Sequence, residues 1–392
     1  IYLGTTFGIN KSSDGGVTYT PEVVTDDSLR ITSIEISPLT PNIIYAAPWN
    51  IGWFHSGHSL YRSADYGETW VEVSGNLSNQ YCTITDIAID PSNPNRIWVT
   101  YGGVWFTQGG TLAHNRVFKT EDASQSPVVW DDMTYNLSPL PVTAIVYQPG
   151  SDDRVFVGTD GGIFYWDKQN NTWKCFSNNM PVSFVTDMRI NTCSNELYCS
   201  TWGRGLWKTV LPSITENPLF VSSNSTWNGV YDGVNDIVVN SGVILTVTGE
   251  ITMHENKKII VKPYAKLIID GGTITNACND FWQGIEVQGN SALCQYPRFV
   301  GGNWVWDQGR VEIINDGTIE NAVCGIKTIN SDASNPSLTT GGLIRADNAV
   351  FHNCKTAIEF LPYQNYYSSI NHPPSANLSL ITKCTFETDD NL

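Results

Sequence analysis

One phrase recurs four times in the first half of the chain, and this repetition restricts the fold more than any other feature of the sequence. Each copy begins with alternating apolar and polar residues, passes through a turn, and continues into a run rich in β-branched and aromatic residues. This pattern predicts two antiparallel strands joined by a turn. The steps between equivalent threonines are 53, 58 and 43 residues, and these threonines are Thr32, Thr85, Thr143 and Thr186.

A third and a fourth strand follow in most copies of the phrase. The third is an apolar and aromatic run such as Gly162-Ile-Phe-Tyr-Trp, and the fourth begins near Trp70, Trp130 and Trp173. Four short strands in each repeat of about 40–50 residues are typical of the blades of a β-propeller. Because Ile1 and Gly8 open the second and third strands of an earlier copy, we expect about four to five blades over residues 1–212.

The turn between the third and fourth strands carries a second repeated motif, Ser-x-Asp-x-Gly-x-Thr followed by an aromatic residue. In such a turn the aspartate and the hydroxyl accept backbone N–H groups, and the glycine takes a positive φ. The motif resembles the Asp-box of the BNR/sortilin-like propellers, which include sialidases, sortilin-type receptors and xyloglucan-cleaving enzymes. Its two intact copies consist of Ser12, Asp14, Gly16 and Thr18, and of Ser63, Asp65, Gly67, Thr69 and Trp70.

The resemblance implies that these boxes lie on the propeller rim away from any active site, so their aspartates have a structural role. It also implies more blades than this sequence contains, since closed propellers of these families usually have more than five. We therefore expect residues 1–212 to be the C-terminal part of a propeller.

The second half has a different repeat, after a polar segment predicted as a linker over 213–235. Its phrase places an apolar residue between small polar ones and recurs at 273, 318, 350 and 385, with steps of 45, 32 and 35 residues. A strand, a tight turn and a second strand at this spacing predict the coils of a parallel β-helix over 236–392, continuing beyond the chain end. We expect an inward ladder of Ile274, Ile319, Phe351 and Phe386, and stacked asparagines at Asn276, Asn321 and Asn353.

The stretches Phe281–Asn290 and Gln308–Ile313 resemble a recurrent right-handed β-helix of large bacterial surface proteins exported by the type IX route. Taken together, the two repeats predict an all-β chain: a partial Asp-box β-propeller of four-stranded blades, followed by a right-handed parallel β-helix. The resemblance implies a secreted, surface-displayed protein and gives no information about its chemistry.

Composition and charge exclude several classes of partner. With 22 basic against 38 acidic residues, the net charge of −16 repels nucleic acids and anionic membranes. No apolar run approaches the roughly 20 residues of a spanning helix. The nine cysteines form no C-x-x-C pair and no zinc spacing, so no metal or cofactor is predicted. A local disulfide between Cys193 and Cys199 is one option, and Cys278, Cys324 and Cys354 are expected as buried thiols.

The sequence offers few candidates for catalysis, and we assign no catalytic residue from it. Sialidases need an arginine cluster that is missing here, whereas xyloglucan-cleaving propellers use two aspartates across a cleft. Asp86, Asp160 and Asp187 lie near predicted strand ends and are conceivable acids, although turn or hydrogen-bonding roles are the default interpretation. The β-helix half shows no aspartate cluster of the kind that polysaccharide-cleaving β-helices require.

A Gly-rich loop rich in aromatic residues interrupts one blade and is the candidate binding segment. It could provide a sugar-stacking platform, while the simpler interpretation is a structural or interface role. The candidate binding residues are Trp49, Trp53, His55 and His58 in this loop, and Trp105 in the equivalent loop of the next blade.

The leading hypothesis from sequence is a non-catalytic extracellular segment of a large secreted surface protein, an adhesin or appendage. The alternatives are a carbohydrate-active propeller enzyme of sialidase-like or xyloglucan-cleaving type, and a sortilin-like peptide or protein receptor. The expected partners are a surface glycan or protein ligand and a second copy of the chain bound through lateral faces, with no nucleic acid and no membrane insertion.

Overall fold

A computed structural model of the chain describes residues 1–5, 8–22, 29–50, 59–77, 83–102, 115–177, 179–214, 217–365 and 375–389. Internal contacts divide the chain into two compact units, Ile1–Ile214 and Thr215–Leu392, named here the blade unit and the parallel-sheet unit. The prediction of an all-β chain is confirmed, because the described residues form strands in both units and only one short 3₁₀ helix.

The blade unit folds into five consecutive antiparallel sheets within its described residues. Its strands are β1 Tyr2–Thr5, β2 Gly8–Lys11, β3 Thr20–Glu22, β4 Leu29–Ile36, β5 Ile44–Asn50, β6 Tyr61–Ser63, β7 Val71–Glu72, β8 Thr83–Asp90, β9 Asn93–Gly102, β10 Val117–Thr120, β11 Asp131–Asp132, β12 Val142–Tyr147, β13 Val155–Thr159, β14 Gly162–Asp167, β15 Thr172–Cys175, β16 Val185–Asn191, β17 Glu196–Thr201 and β18 Gly205–Val210.

Each sheet is a meander in which strands adjacent in sequence are also adjacent in space. The three central sheets, β4–β7, β8–β11 and β12–β15, have four strands each, and the outer two, β1–β3 and β16–β18, have three. Four-stranded antiparallel sheets that repeat in this way fit propeller blades. The fourth strands begin next to Trp70, Trp130 and Trp173, where the sequence predicts them.

Apolar layers fill the space between successive sheets. One cluster joins the β4–β7 and β8–β11 sheets through Tyr45, Ile87 and Trp130, and a second joins β8–β11 to β12–β15 through Trp98 and Trp166. The face of each sheet packs against the face of the next sheet, so the hydrophobic core lies between blades.

Within its described residues, the parallel-sheet unit contains twenty strands and the 3₁₀ helix Pro336–Thr339. Its strands are β19 Leu219–Val221, β20 Ser225–Trp227, β21 Val230–Gly233, β22 Ile237–Val239, β23 Ile244–Val247, β24 Glu250–Met253, β25 Lys258–Val261, β26 Lys266–Asp270, β27 Thr273–Asn276, β28 Trp282–Val287, β29 Arg298–Val300, β30 Asn303–Val305, β31 Arg310–Ile314, β32 Thr318–Glu320, β33 Ala322–Lys327, β34 Leu343–Asp347, β35 Val350–His352, β36 Thr356–Glu359, β37 Leu380–Thr382 and β38 Thr385–Glu387.

Eighteen of these strands form three parallel sheets of six strands, in the orders β19-β22-β25-β28-β33-β36, β20-β23-β26-β31-β34-β37 and β21-β24-β27-β32-β35-β38. The chain therefore visits the three sheets in turn and returns to the first one coil later. This arrangement is consistent with a parallel β-helix. The remaining pair, β29–β30, is an antiparallel hairpin inserted between coils.

Stacked apolar side chains fill the interior of the parallel-sheet unit. The positions Ile274, Ile319, Phe351 and Phe386 are in register as predicted, and the rings of the last two stack at 5.2 Å. The first three side chains are buried, whereas Phe386 is 55% exposed. Asn321 Nδ2 donates to Asn276 Oδ1 at 2.6 Å, and Asn353 Nδ2 donates to Asp389 Oδ1 at 2.9 Å. The turn positions Asn321 and Asn353 have positive φ, which asparagine tolerates better than most residues.

Two expectations from the sequence are wrong. The segment 213–235 is not a linker throughout, because β19–β21 lie in it and form a coil that pairs in parallel with β22–β24. Its Asn and Ser residues occupy the turns between very short strands. The assignment of the cysteines is wrong as well: Cys199 is a buried free thiol, so the local disulfide is not formed, and Cys278 takes part in a disulfide rather than being a buried free thiol.

Three long insertions leave the parallel-sheet unit at the same corner, between the first and the second of its sheets. They connect β28 to β31, β33 to β34 and β36 to β37. The first two contact each other through the buried Gln295, whose Nε2 donates to Gly341 O at 3.1 Å. Its Oε1 accepts the Leu378 N–H of the third insertion at 2.8 Å. A layer of loops therefore covers this corner without interrupting the ladders.

Candidate functional site

The first strands of consecutive blades, β4, β8, β12 and β16, lie side by side. Three repeated threonines join them: Thr32 Oγ1 donates to Ile84 O at 2.8 Å, Thr85 Oγ1 to Val142 O at 2.7 Å, and Thr143 Oγ1 to Val185 O at 2.6 Å. Each acceptor immediately precedes the threonine of the next blade. This register aligns the residues after the threonines, Ser33, Asp86, Ala144 and Asp187, along neighbouring first strands.

Asp86 is held between two blades by backbone amides. Its Oδ2 accepts the Ile145 N–H of the next blade at 2.8 Å, and its Oδ1 accepts the Ile87 N–H at 3.0 Å. Burial raises the pKa of Asp86 to about 6, although these amide hydrogen bonds and Arg189 lower it. The Ser33 hydroxyl of the preceding blade lies 3.5 Å from Asp86 Oδ1.

Glu35 lies two residues beyond Ser33 on β4, on the same side of the strand. Burial raises its pKa to about 7, and the negative charge of Asp86 adds to the rise. A carboxyl group with such a pKa is partly protonated at neutral pH and can donate a proton. Sequence reasoning missed Glu35, because the aligned positions of the other copies are Ala88, Val146 and Arg189.

Asp187 and Arg189 complete this group on β16, the first strand of the fifth sheet, which packs on β12. Their side chains are mostly exposed, and Arg189 lies 3.7 Å from Asp187 Oδ2 in an ion pair. The guanidinium of Arg189 lowers the pKa of both Glu35 and Asp86, while Asp187 raises both. We name Glu35, Asp86, Asp187 and Arg189 the acid cluster.

Asp160 occupies the turn between β13 and β14. Burial raises its pKa, and its Oδ1 is buried with no hydrogen-bond partner among the described residues. In an antiparallel meander, the turn between the second and third strands lies at the sheet end where the first strand begins. Asp160 therefore lies at the end of its sheet where β12 begins. Asp86 and Asp187 lie near the corresponding ends of their own sheets, close to the starts of β8 and β16.

The predicted binding residues belong to the same kind of connection in two other blades. Trp49 is on β5, where its backbone pairs with Arg30, but its side chain lies outside the described part of the structure. Trp53, His55, His58 and Trp105 also lie outside the described residues. In the equivalent turn of the fifth sheet, Trp202 is 79% exposed, a feature that sequence reasoning did not single out.

The two Asp-boxes make the same set of local bonds at the opposite end of their sheets. In the first, Asp14 Oδ1 accepts the Thr18 N–H at 2.9 Å, Asp14 Oδ2 accepts the Thr18 hydroxyl at 2.6 Å, and Gly16 N donates to Ser12 Oγ at 2.8 Å. These bonds hold the pKa of Asp14 well below its usual range.

The second box repeats this geometry. Asp65 accepts the Thr69 N–H at 2.9 Å and the Thr69 hydroxyl at 2.6 Å, and these bonds lower its pKa to about 2. Gly67, which donates its N–H to Ser63 Oγ at 2.8 Å, has a φ of +85°. A side chain at this φ would be strained, which accounts for glycine at this position of the motif.

A second link between blades uses a residue pair that the sequence analysis did not recognise. Asn76 and Trp130 exchange side-chain and backbone hydrogen bonds at 3.0 and 2.7 Å, and Asn136 and Trp173 do so at 3.0 and 2.8 Å. The signal was present, since both asparagines belong to a repeated Asn-Leu-Ser that follows the fourth strand.

Among the described residues, no group of three or more His, Cys, Asp or Glu side chains is arranged to hold a metal ion. No helix in this part of the chain is both long and apolar enough to cross a membrane.

Comparisons with known proteins give one sequence relative of interest. No family model matches the chain. A xyloglucanase of Hypocrea jecorina (strain QM6a) is 22% identical over 223 residues, which are 51% of this chain and 26% of that protein. The chain thus spans about a quarter of the curated relative it matches.

Solved structures with similar regions are β-propellers of several kinds. A GH74 enzyme of Niastella koreensis aligns over 53% of this chain and 33% of its own with 14% identity and a TM-score of 0.42. YCF48 from Cyanidioschyzon merolae aligns over 53% of this chain and 64% of its own, with 14% identity and a TM-score of 0.38. The assignment of blades here rests on the strand pairing itself.

Proposed function

We propose that this chain is part of an extracellular carbohydrate-active protein, in which the acid cluster of the blade unit binds and cleaves a neutral polysaccharide. The observation that carries the proposal is Glu35, a carboxyl group whose pKa is raised to about 7 by burial and by the carboxylates Asp86 and Asp187 of two other blades. The sequence similarity to a xyloglucanase supports a β-linked glucan as the substrate class.

In this proposal Glu35 is the general acid. It donates its proton to the glycosidic oxygen as the bond between that oxygen and the anomeric carbon breaks. Asp187, the exposed carboxylate of the cluster, accepts the proton of the water that attacks the anomeric carbon. Asp86 is a positioning residue, since its charge helps to keep Glu35 protonated.

The test is hydrolysis of a glycan panel, including xyloglucan, by the full chain and by Glu35→Gln. Loss of a general acid costs about 10²- to 10⁴-fold in rate, so kcat/KM should fall at least 100-fold. The matched control is Asp131→Asn, an exposed carboxylate on the fourth strand of another blade. The activity of the unmodified protein should fall as pH rises above about 7, since Glu35 then loses its proton. Hydrolysis unaffected by Glu35→Gln would refute this assignment.

A second candidate function is the non-catalytic surface segment, an adhesin or appendage. Asp86 favours it, because both of its oxygens accept backbone N–H groups and so have a structural role between blades. In this case the blade unit binds a surface glycan or a protein ligand without cleaving it. Failure of the full chain to hydrolyse any glycan, combined with saturable binding to one of them, would favour this candidate.

The finer architecture is part of the same proposal. We assign the blade unit to the C-terminal part of an Asp-box propeller, on the repeated bonds of Asp14 and Asp65. The parallel-sheet unit is assigned to a right-handed β-helix that acts as a rigid spacer with lateral faces for self-association. Display on a bacterial surface by the type IX route is proposed from the sequence resemblance alone.

A further inference from the structure

Two arginines lie around one tryptophan on the second sheet of the parallel-sheet unit. Arg310 begins β31 and Arg345 lies on the adjacent parallel strand β34. Their guanidinium carbons are 4.9 and 5.6 Å from the centre of the Trp306 ring. Both distances are within the range of a cation–π contact, so the ring holds two like charges near one another.

Neither arginine has an anionic partner among the described residues. The nearby Glu312 is paired with Lys266, and Arg310 Nε is buried with no hydrogen-bond partner in the described part of the chain. Burial lowers the pKa of Arg310, and the charge of Arg345 adds to this effect, while the charge of Glu312 opposes it. A local excess of positive charge is unusual in a chain with a net charge of −16, and an oxyanion would compensate it.

The arginines line a cavity of about 70 Å³. One water needs only about 10–15 Å³ by the same measure, so the cavity holds a group as large as a carboxylate or a sulfate. The cavity is also lined by Val311 and Leu343, which are buried, and by Lys266, Trp306 and Glu312.

A hairpin with exposed aromatic side chains lies just before Trp306 in the chain. Phe299 on β29 and Trp304 on β30 are 63% and 68% exposed, and their ring centres are 5.2 Å apart. Trp304 is only two residues before Trp306. Exposed aromatic rings beside a cationic cavity suit a ligand that has both apolar ring faces and acidic groups.

We propose that Arg310, Arg345 and Trp306 form a binding site for an acidic polysaccharide, with the arginines holding its oxyanion groups and the hairpin aromatics packing on its sugar rings. A planar carboxylate fits the guanidinium fork best, so the preferred unit is a uronate. A sulfated sugar offers the same chemistry, and an acidic peptide offers the charge without the ring faces.

The test measures binding of the full chain to polygalacturonate by calorimetry in about 0.15 M salt, where the long-range repulsion between two polyanions is largely screened. Arg345→Gln should weaken binding at least 10-fold, whereas Lys383→Gln, which removes an exposed charge from the same unit, should change it less than 2-fold. Trp304→Ala should weaken binding as well, because it removes the stacking surface. Arg345 is exposed, so equal melting temperatures of the two charge variants are expected and verify that both are folded.

Dextran sulfate, neutral dextran and polyglutamate are the comparison ligands. Tighter binding of dextran sulfate that is equally sensitive to Arg345→Gln would keep the site and assign it to sulfated sugars. Equal binding of polyglutamate or of neutral dextran would overturn the proposal, as would equal affinities of Arg345→Gln and Lys383→Gln.

Discussion

The two units join their repeats by different kinds of hydrogen bond. In the blade unit, backbone hydrogen bonds end at the edge of each antiparallel sheet, and side chains such as Thr85, Thr143 and Asn136 make the connections to the next blade. In the parallel-sheet unit, the backbone bonds themselves run from coil to coil through each six-stranded sheet. Cohesion between repeats therefore combines apolar layers with a few specific side-chain links in the first unit. In the second unit the backbone ladders and the stacked core both continue from coil to coil.

The largest expected effect tests the stacked core. Ile319→Ala removes a fully buried side chain between Ile274 and Phe351, and a cavity of this kind costs about 2–5 kcal/mol of unfolding free energy. Urea unfolding of the full chain measures the loss. Leu380→Ala, at a position that is 58% exposed in the same unit, should cost less than about 0.5 kcal/mol. Similar losses for the two variants would contradict a core-based cohesion.

A change at the acid cluster should alter the pH dependence of stability. The pKa of Glu35 is raised to about 7 from an ordinary 4.5, so the folded state holds a proton that the unfolded state releases between these values. Glu35 therefore lowers stability progressively as pH rises from about 4.5 to 7. Glu35→Gln should be more stable than the unmodified chain at pH 8, by about 1–3 kcal/mol, with the difference disappearing near pH 4. Urea unfolding at both pH values measures it, and a difference independent of pH would refute it.

A smaller effect tests the links between blades. Thr143→Val removes one hydroxyl that donates to Gly158 O within the blade at 3.1 Å and to Val185 O in the next blade at 2.6 Å. The expected loss is about 1–2 kcal/mol. Thr186 is the matched control, because its exposed hydroxyl contacts Ser200 of the same sheet at 2.7 Å. If Thr186→Val were as destabilising as Thr143→Val, the link between blades would not be the cause.

The smallest effect is expected at an Asp-box. Asp65→Asn should lower the melting temperature less than Thr143→Val does, since the bonds of Asp65 are confined to one exposed turn. Because the pKa of Asp65 is lowered to about 2, its contribution should be present above its ordinary pKa of 3.8 and disappear as pH falls toward 2. Glu68→Gln, in the same turn, is the control. A loss of glycan hydrolysis in Asp65→Asn would contradict the structural role proposed for this box.

Periodicity made the repeats predictable, because each strand is short and its apolar residues recur at fixed spacing. The first strands around Thr85 and Thr143, and the ladder of Ile274 and Ile319, could therefore be located from sequence. The segment 213–235 was misread because its strands have only three or four residues and its turns are rich in Asn and Ser, so the polar turns dominate the local composition.

The candidate sites were harder to predict, because both are assembled from residues that are distant in sequence. Glu35 and Asp187 are 152 residues apart, and Asp187 affects the pKa of Glu35 only because four first strands, β4, β8, β12 and β16, pack side by side. Arg310 and Arg345 lie on adjacent coils, and the number of residues between them depends on the length of an insertion. Single residues of these types carry no local signal, and only the register of the repeats identifies them.

The corner at which all three insertions leave the parallel-sheet unit has an evolutionary consequence. Residues can be added or removed between β28 and β31 without changing the register of any ladder, since the insertion lies outside the three sheets. Trp304 and Trp306 belong to such an insertion, whereas Arg310 and Arg345 belong to the strands it borders. Replacement of the loops at this one corner can therefore change ligand preference among related chains, while the strands of the three sheets stay the same.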